Sequence, residues 1–442
     1  MKLVNIHKHV LTLIILLGWN TLHAQDVWTL QQCTDSAKVY NKSLQINRNN
    51  VTSGEEREKE AKANLNPKIS AVADYKYFVE LPHQLMPMNI FNPTVPEGQY
   101  KDVQFGVPHT INASAQLAMP LFNPQIKGAI ENAKTASELT RLQYRKTEEQ
   151  VSYDVATLYY NAQLLIHQLE FIDSNLVNTN KLVKNMQLLH EQLLAKGSDV
   201  NKVKLQADQL STQRDNVNNK LVQVLNALKL AMGVDLERNI MVEKDIHFQT
   251  AIQYDTKTIT DLDLLSTQHK LLNHELKVLN KSSYLPSISL IASYGTSGFG
   301  YDKKPNSFLK FYPVGFAGVQ LTYPIFNGGI TKRKINQKNI EIRNNELQSQ
   351  LIADKNKMEI ENVSRERLIA EKTLTNTESQ IIQAQTIYNQ TVLQQREGTT
   401  NLTEVLMADN ALREAQQNYL SAAIDYLKAD LELKKITGNL IN

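Results

Sequence analysis

Cysteine is almost absent from this 442-residue chain, and glycine and proline are scarce. Cys33 is the single cysteine, so no disulfide can form within the chain. Long apolar runs are also missing. Beyond the N-terminal segment, no stretch approaches the roughly 18 consecutive apolar residues of a membrane-spanning helix. The chain is therefore either soluble after export or crosses a membrane as β structure.

Charge of one sign and recognisable catalytic motifs are missing too. The formal net charge is +3 and no basic block occurs, so nucleic acid is not an implied partner. No glycine-rich phosphate loop follows a strand, and no nucleophile elbow is present. His247, His269 and His274 lack metal-ligand spacing with a carboxylate. We therefore expect no enzyme, no cofactor and no metal site.

The first 24 residues are typical of a cleaved secretory signal. Lys2 and Lys8 precede the short apolar run Val10–Leu17, and Ala24 ends a passable small-residue cleavage site. This eight-residue run, broken only by Thr12, is too short for a spanning helix. The alternative is a buried N-terminal strand.

Cys33 lies eight residues beyond Gln25, too far from the cleavage site for a lipid anchor. The surrounding WTLQQCTDSA segment has the pattern of an amphipathic helix, with Thr29 and Gln32 placed as a capping box. We therefore expect Cys33 to be a core residue.

Three pairs of similar segments recur in the same order, which indicates a tandem duplication with a unit near 200 residues. The matched pairs are 67–77 with 286–296, 117–123 with 321–327, and 197–208 with 398–409. We predict a signal peptide at 1–24, a first repeat at 25–235, a connector at 236–262 and a second repeat at 263–442.

Each repeat predicts a long helical hairpin. Residues 126–196 contain no proline, and apolar residues recur there at steps of three and four, as in a coiled coil. Asn123 is an N-cap candidate before Pro124 at the first helical position. Gly197 and Gly398 are the predicted left-handed C-caps at the ends of the two long helices.

Each repeat also predicts two strands of about ten residues, in which apolar and polar residues alternate. Aromatic residues crowd both ends of these strands, as in the girdles of a transmembrane barrel. We expect Ala115 and Val319 to face lipid, and Ser114 and Gly318 to face a lumen. A half-buried sheet in a soluble protein would show the same alternation. Four strands cannot close a barrel, whereas three copies would supply twelve.

The order and duplication of the motifs resemble those of the TolC-like outer-membrane efflux proteins. The motifs are the opening WTLQQC helix, the PKIS and PSIS strand starts, the LAMPLFN and LTYPIFN junctions and the two hairpins. The resemblance covers about 25–442. It implies a mixed α+β membrane protein. The implied assembly is a homotrimer in the outer membrane of a Gram-negative bacterium. Its 12-stranded transmembrane β-barrel would be continuous with a 12-helix periplasmic α-barrel. The implied partners are a periplasmic adaptor, an inner-membrane pump and outer-membrane lipid.

The resemblance also implies where a gate and a docking surface lie. Family members close their periplasmic end with residues just after the hairpin turns, including acidic rings. Counted from the two glycines, the candidate gate residues here are Glu404, Met407 and Val203. The hairpin ends that would meet the adaptor are Gly197, Ser198, Asp199, Gly398, Thr399 and Thr400.

Two functions remain open at this stage. The first is the exit duct of a tripartite efflux or secretion system. The second is a secreted or periplasmic coiled-coil adaptor or adhesin without a pore. The transported cargo, and whether a partner pump is driven by protons or ATP, do not follow from the sequence.

Overall fold

The computed structural model describes residues 27–248, 254–305 and 307–440. The predicted signal peptide at 1–24 lies outside the described residues. The described chain divides into two compact units that cut across the predicted repeats. The helical unit comprises the chain up to Asn50, Arg141–Leu264 and Gln348 onward. The sheet unit comprises Val51–Thr140 and Leu265–Leu347.

Seven α-helices account for most of the described chain. They are α1 Leu30–Tyr40, α2 Lys42–Ala63, α3 Pro124–Glu191, α4 Gly197–Met232, α5 Thr260–Tyr284, α6 Ile330–Arg396 and α7 Leu402–Ile436. The long helices α3 and α6 contain 68 and 67 residues. None of the described helices combines the length and apolar character needed to cross a bilayer.

Eight strands form three sheets in the part of the chain that the structure describes. The strands are β1 Val27–Trp28, β2 Lys68–Tyr77, β3 His83–Pro87, β4 Tyr100–Gln104, β5 His109–Phe122, β6 Met241–Val242, β7 Ser287–Tyr301 and β8 Phe308–Thr322. The principal sheet has the order β2-β5-β7-β8, and every neighbouring pair is antiparallel. Among the described residues, β2 and β8 are therefore its two edges.

The predicted helix starts are confirmed where local capping decides them. Thr29 and Gln32 form the reciprocal capping box of α1. Asn123 Oδ1 accepts hydrogen bonds from the backbone N–H groups of Gln125 (2.9 Å) and Ile126 (3.3 Å), and α3 begins at Pro124. These side chains satisfy amide donors that the first helical turn leaves without partners.

The helical unit has an apolar core between its helices. Cys33 is fully buried against Val155 and Met232, as expected for a core cysteine. Burial raises the pKa of the Cys33 thiol to about 12, so it stays protonated at neutral pH. The connector adds β6, which pairs in parallel with β1.

The sheet unit contains the principal sheet, most of α2 and α5, and the adjoining segments of α3 and α6. Gly128 allows α3 to approach α5 closely. A Cβ atom at Gly128 would lie 1.9 Å from Cγ2 of Val278, so any larger residue would force the helices apart.

Candidate functional site

The two helical hairpins end in turns of the same length. The first tip, residues 192–196, joins α3 to α4, and the second tip, residues 397–401, joins α6 to α7. In the second tip, Gly398 has φ 72°. The N–H of Thr399 donates to the Gln394 carbonyl (3.0 Å), and that of Gly398 donates to the Gln395 carbonyl (3.2 Å). This pair of bonds is a Schellman motif, so the prediction for Gly398 is confirmed.

The prediction that Gly197 is a left-handed C-cap is wrong. The left-handed residue of the first tip is Leu193, with φ 62°. The N–H of Leu194 donates to the Leu189 carbonyl (2.8 Å), and that of Leu193 donates to the His190 carbonyl (2.9 Å). Gly197 is instead the first residue of α4, after Lys196 at the N-cap. One left-handed residue suffices to close the turn, and it comes four positions before the glycine.

This geometry changes which residues of the two hairpins are equivalent. Leu193 and Gly398 are 205 positions apart, and so are the left-handed residues Gly233 and Gly438 beyond α4 and α7. The alignment made from the sequence paired Gly197 with Gly398, which are 201 positions apart; we call this the glycine-based alignment. In the structural register, Asp199 and not Val203 is the counterpart of Glu404. Both are acidic residues in the first turn of their helix.

The three gate candidates differ in exposure. Glu404 is exposed, and its backbone N–H donates to Asn401 Oδ1 (3.1 Å), which caps α7. Met407, one turn further on, is 52 % exposed. Val203 is 0 % exposed and packs in the core with Val405. A side chain without exposed surface in its own chain cannot line a passage.

The docking candidates also fall in two different environments. Gly197, Ser198 and Asp199 form the first turn of α4, whereas Gly398, Thr399 and Thr400 belong to the second tip. The sequence analysis did not identify the residues of the first tip itself, 192–196, as docking candidates. Leu193 and Leu194 are 91 % and 72 % exposed. The left-handed backbone of Leu193 has no glycine to mark it in the sequence.

A buried polar cluster lies beneath the gate candidates. Asp409 is 4 % exposed and accepts hydrogen bonds from Gln206 of α4 and from Arg413. Burial raises the pKa of the Asp409 carboxyl, and Arg413 and Gln206 oppose that shift. The cluster joins the two hairpins, and the sequence repeat alone did not indicate it.

A second buried cluster ties α6, α7 and the connector together. Arg367 Nε donates to Asp430 Oδ1 (2.8 Å), and the Tyr254 hydroxyl donates to the same oxygen (2.9 Å). Lys434 pairs with Asp430 at 3.0 Å. Desolvation and the Asp430 charge raise the pKa of Tyr254, so its hydroxyl remains a donor. The connector is thus held by a hydrogen bond from Tyr254 to a buried ion pair.

The register of the principal sheet places the apolar positions of all four strands on one face. Ala115 pairs with Ala71 and Tyr294, and Tyr294 pairs with Gly315. The next position, Ser114, points to the opposite face, because side chains alternate along a strand. The polar alternate positions share that opposite face. On β8, Val314 and Phe316 also lie on that opposite face, because they pair with Gly295 and Ser293. The four strands therefore form one surface with an apolar side and a side that is largely polar on β2, β5 and β7 and mixed on β8.

Aromatic rings cover glycines on the apolar face. A Cβ atom at Gly315 would lie 2.6 Å from the Tyr294 ring, and one at Gly298 would lie 2.5 Å from the Phe311 ring. These directly paired positions place a ring over a bare backbone, a contact that pins strand register.

Within the described residues, no group of three or more histidine, cysteine, aspartate or glutamate side chains is arranged to hold a metal ion. The candidate site is therefore a set of surfaces: the two hairpin tips, the first turns of α4 and α7, and the two faces of the sheet.

Residues 261–439 match the sequence model of the family described as outer membrane efflux protein. The chain is 23 % identical over 302 residues to the probable efflux pump outer membrane protein SepC and to the toluene efflux pump outer membrane protein TtgF, both of Pseudomonas putida. The match covers 64 % of this chain and 60 % of each relative, so it spans under two thirds of their length.

Solved structures share the fold over nearly the whole chain. The outer membrane protein VceC of Vibrio cholerae is 15 % identical, with a TM-score of 0.70 over 92 % of this chain and 96 % of that one. CusC is 15 % identical, with a TM-score of 0.72 over 94 % and 95 %. The CmeC outer membrane channel of Campylobacter jejuni is 14 % identical, with a TM-score of 0.71 over 93 % and 85 %. Sequence in the second half and fold over more than nine-tenths of the chain thus confirm the resemblance to the TolC-like outer-membrane efflux proteins.

Proposed function

We propose that this chain is the outer-membrane channel of a tripartite efflux or secretion system and conducts substrates passively to the exterior. The observation that carries the proposal is the principal sheet, in which four antiparallel strands present one apolar face and gather their polar alternate positions on the other. A sheet in a bilayer needs an apolar outer face and a closed ladder of hydrogen bonds. The confirmed family resemblance supports the same function and an outer-membrane location in a Gram-negative bacterium.

The proposed assembly is a homotrimer. In the strand order β2-β5-β7-β8, the edges β2 and β8 each have one partner strand among the described residues. An open edge in lipid leaves backbone groups without partners. Three chains would close twelve strands into a barrel, with twelve hairpin helices for a periplasmic tube. Chemical cross-linking in detergent should give a three-chain ladder. A monomer that still inserts into lipid would contradict this assembly.

The face of the sheet that meets lipid can be tested with a pair of substitutions. Ala115→Arg should cost about 2–4 kcal/mol and reduce the amount of assembled protein, because it places a cation among hydrocarbon chains. Ser114→Arg, on the opposite face, should assemble and change the single-channel conductance in planar bilayers. Equal tolerance of arginine at both positions would show that the apolar face does not meet lipid.

The hairpin ends are the proposed gate and docking surface. Exposure supports Glu404 and Met407 as lumen residues. The burial of Val203 leaves it a packing role in this proposal. The proposed partners are a periplasmic adaptor and an inner-membrane pump, which would select the cargo.

A coiled-coil adaptor or adhesin without a pore is the competing function. It would need the apolar face of the sheet to be covered in water by another layer. Heat-modifiable migration and partition into the outer-membrane fraction would favour the channel. Recovery in the soluble periplasmic or secreted fraction would favour the adhesin.

A further inference from the structure

A small cavity lies between the connector and the helices α3 and α7, inside the helical unit. Its volume is about 160 Å³, which leaves room for more than one water molecule. Tyr160 and Gln163 line it from α3, Glu243 and Asp245 from the connector, and Asp430 from α7. The wall of the cavity thus joins three segments that are far apart in the sequence.

One buried polar atom in this wall lacks a partner. Gln163 is 3 % exposed, and its Oε1 has no hydrogen-bond donor among the described residues. Its Nε2 donates to the carbonyls of Glu243 (2.8 Å) and Asp245 (2.9 Å), which fixes the orientation of the amide. A flipped amide would set its oxygen against both carbonyls. Because a buried acceptor without a donor costs free energy, the cavity has a place for an N–H or O–H group.

The charges around the cavity favour a cation. Lys434, which also lines it, pairs with Asp430 at 3.0 Å, and Lys244 of the connector pairs with Glu170 at 2.8 Å. Both lysines are therefore neutralised by other carboxylates. The half-buried Glu243 has no ion-pair partner in the described part of the chain. A cationic group in the cavity would compensate this carboxylate, whereas an anion would be repelled.

Tyrosine rings supply the less polar part of the wall. Tyr159, Tyr160 and Tyr426 all line the cavity, and the rings of Tyr159 and Tyr160 meet edge to face with 6.1 Å between centroids. Burial and, after it, the charge of Glu243 raise the pKa of Tyr159 to about 12, so this carboxylate lies near a neutral phenol of the wall. Aromatic rings beside a carboxylate suit an organic cation, which is attracted to both.

We propose that this cavity binds a small organic cation that carries N–H donors, such as a guanidinium or a primary ammonium group. One N–H of the ligand would donate to Gln163 Oε1, and Glu243 would compensate its charge. Because the bound cation would contact α3, α7 and the connector together, its binding should stabilise the attachment of the connector to the helices. This inference goes beyond the proposed function and does not depend on conduction.

The test measures binding of methylguanidinium chloride to the full-length assembly in detergent micelles. Saturation-transfer difference NMR would follow the methyl group of the probe at millimolar concentrations, which are too low to denature the protein. We expect saturable binding. Two further probes separate the two requirements: methylurea has N–H donors without a charge, and tetramethylammonium has a charge without N–H donors. Each should bind about tenfold or more weakly than methylguanidinium, because a charge-assisted hydrogen bond needs both.

A pair of substitutions on α3 locates the binding. Gln163→Lys keeps a donor for the two connector carbonyls but removes the acceptor and adds a positive charge, so methylguanidinium should bind about tenfold or more weakly. Gln168→Lys is the matched control, since it adds the same charge to the same helix at a partly exposed position outside the cavity, and its affinity should stay within about twofold of wild type. Methylguanidinium should raise the melting temperature of the wild type and of Gln168→Lys, but not of Gln163→Lys.

Glu243→Gln is the second variant, because it removes one charge while the backbone of the connector stays in place. It should bind methylguanidinium about threefold or more weakly, and it decides the test if Gln163→Lys fails to assemble. A wild type without saturable binding would show that the cavity holds water only and would overturn the proposal, as would equal affinity for methylurea or an unaffected Gln163→Lys. Binding seen only in dissociated monomers would also overturn it, since a basic side chain of a second copy would then fill the cavity.

Discussion

The two hairpin ends share one backbone design and differ in nearly every side chain that faces outward. Both have a five-residue turn, a left-handed residue at its second position and an acidic residue in the first turn of the returning helix. The first tip closes with Leu193 and the second with Gly398. The comparison shows that backbone hydrogen bonds reproduce a turn even where the residue best suited to it is absent.

The largest expected effect tests which residue of α4 is the counterpart of Glu404. Val203→Asp places a carboxylate in the apolar core with Leu182 and Val405, and should destabilise this end of the helical unit by about 3–5 kcal/mol. Native-state hydrogen exchange of the α4 amides would measure the loss.

Met407→Asp is the matched control, because Met407 is half exposed and a surface change there should stay within about 0.5 kcal/mol. If aspartate were tolerated equally at both positions, Val203 would have access to solvent in the assembled protein. The glycine-based alignment would then be the functional one.

Exchanging the left-handed residues tests the strain itself. Leu193→Gly should stabilise the first tip by about 1 kcal/mol, because glycine adopts positive φ without a Cβ clash. Gly398→Ala should destabilise the second tip by a similar amount, although no atom lies within 4 Å of the added Cβ.

Hydrogen exchange at the two turns would measure the free energy of local opening in each variant, and so show whether each substitution stabilises or destabilises its tip. Shifts of the same sign at both tips would mean that packing, not backbone conformation, controls the turns.

The next effect is the pH dependence of the buried carboxylate. Because burial raises the pKa of Asp409 above its ordinary 3.8, the folded chain binds its proton more readily than the unfolded chain. The contribution of Asp409 to the free energy of unfolding therefore rises as the pH falls through its pKa in the folded state toward 3.8. Tyr388, the neighbouring phenol, has its pKa raised to about 12 by burial and stays neutral throughout.

Asp409→Asn should remove that dependence, so its melting temperature relative to wild type should be higher at pH 7 than at pH 4.5. Lys204→Gln, at the exposed counterpart on α4, should show no such trend. A constant difference between wild type and the asparagine variant across this range would indicate that Arg413 fully offsets the burial of the charge.

The smallest expected effect concerns ion selectivity at the proposed gate. Three copies of Glu404 around a narrow passage would attract cations. Glu404→Gln should therefore weaken the cation preference and the block by multivalent cations in planar-bilayer recordings. Asp199→Asn should have less effect, because Lys202 lies 3.3 Å from the Asp199 carboxylate and partly neutralises its charge. In α7 the position equivalent to Lys202 is Met407, which carries no charge.

Thr403→Ala, about 100° around the helix from Glu404, serves as the control and should change neither property. An unchanged Glu404→Gln channel would show that this residue is an ordinary solvated side chain.

Local features of the fold followed from the sequence because adjacent residues decide them. The caps at Thr29 and Asn123 join residues two or three positions apart. The alternation in the strands predicted the two faces of the sheet, and the register aligned those faces across all four strands. The motif order also predicted the resemblance that the family match over residues 261–439 and the shared fold support.

Contacts between distant segments were decided only by the tertiary structure. Gln206 and Asp409 are 203 positions apart, and Arg367 and Asp430 are 63 apart, so no periodicity or spacing joins them. The exposure of Glu404 and the burial of Val203 depend in the same way on which helices pack together. The sequence thus determined the elements and their faces through local hydrogen bonding and side-chain period. Only the tertiary structure showed the register of the two tips and which side chains at these ends stay exposed.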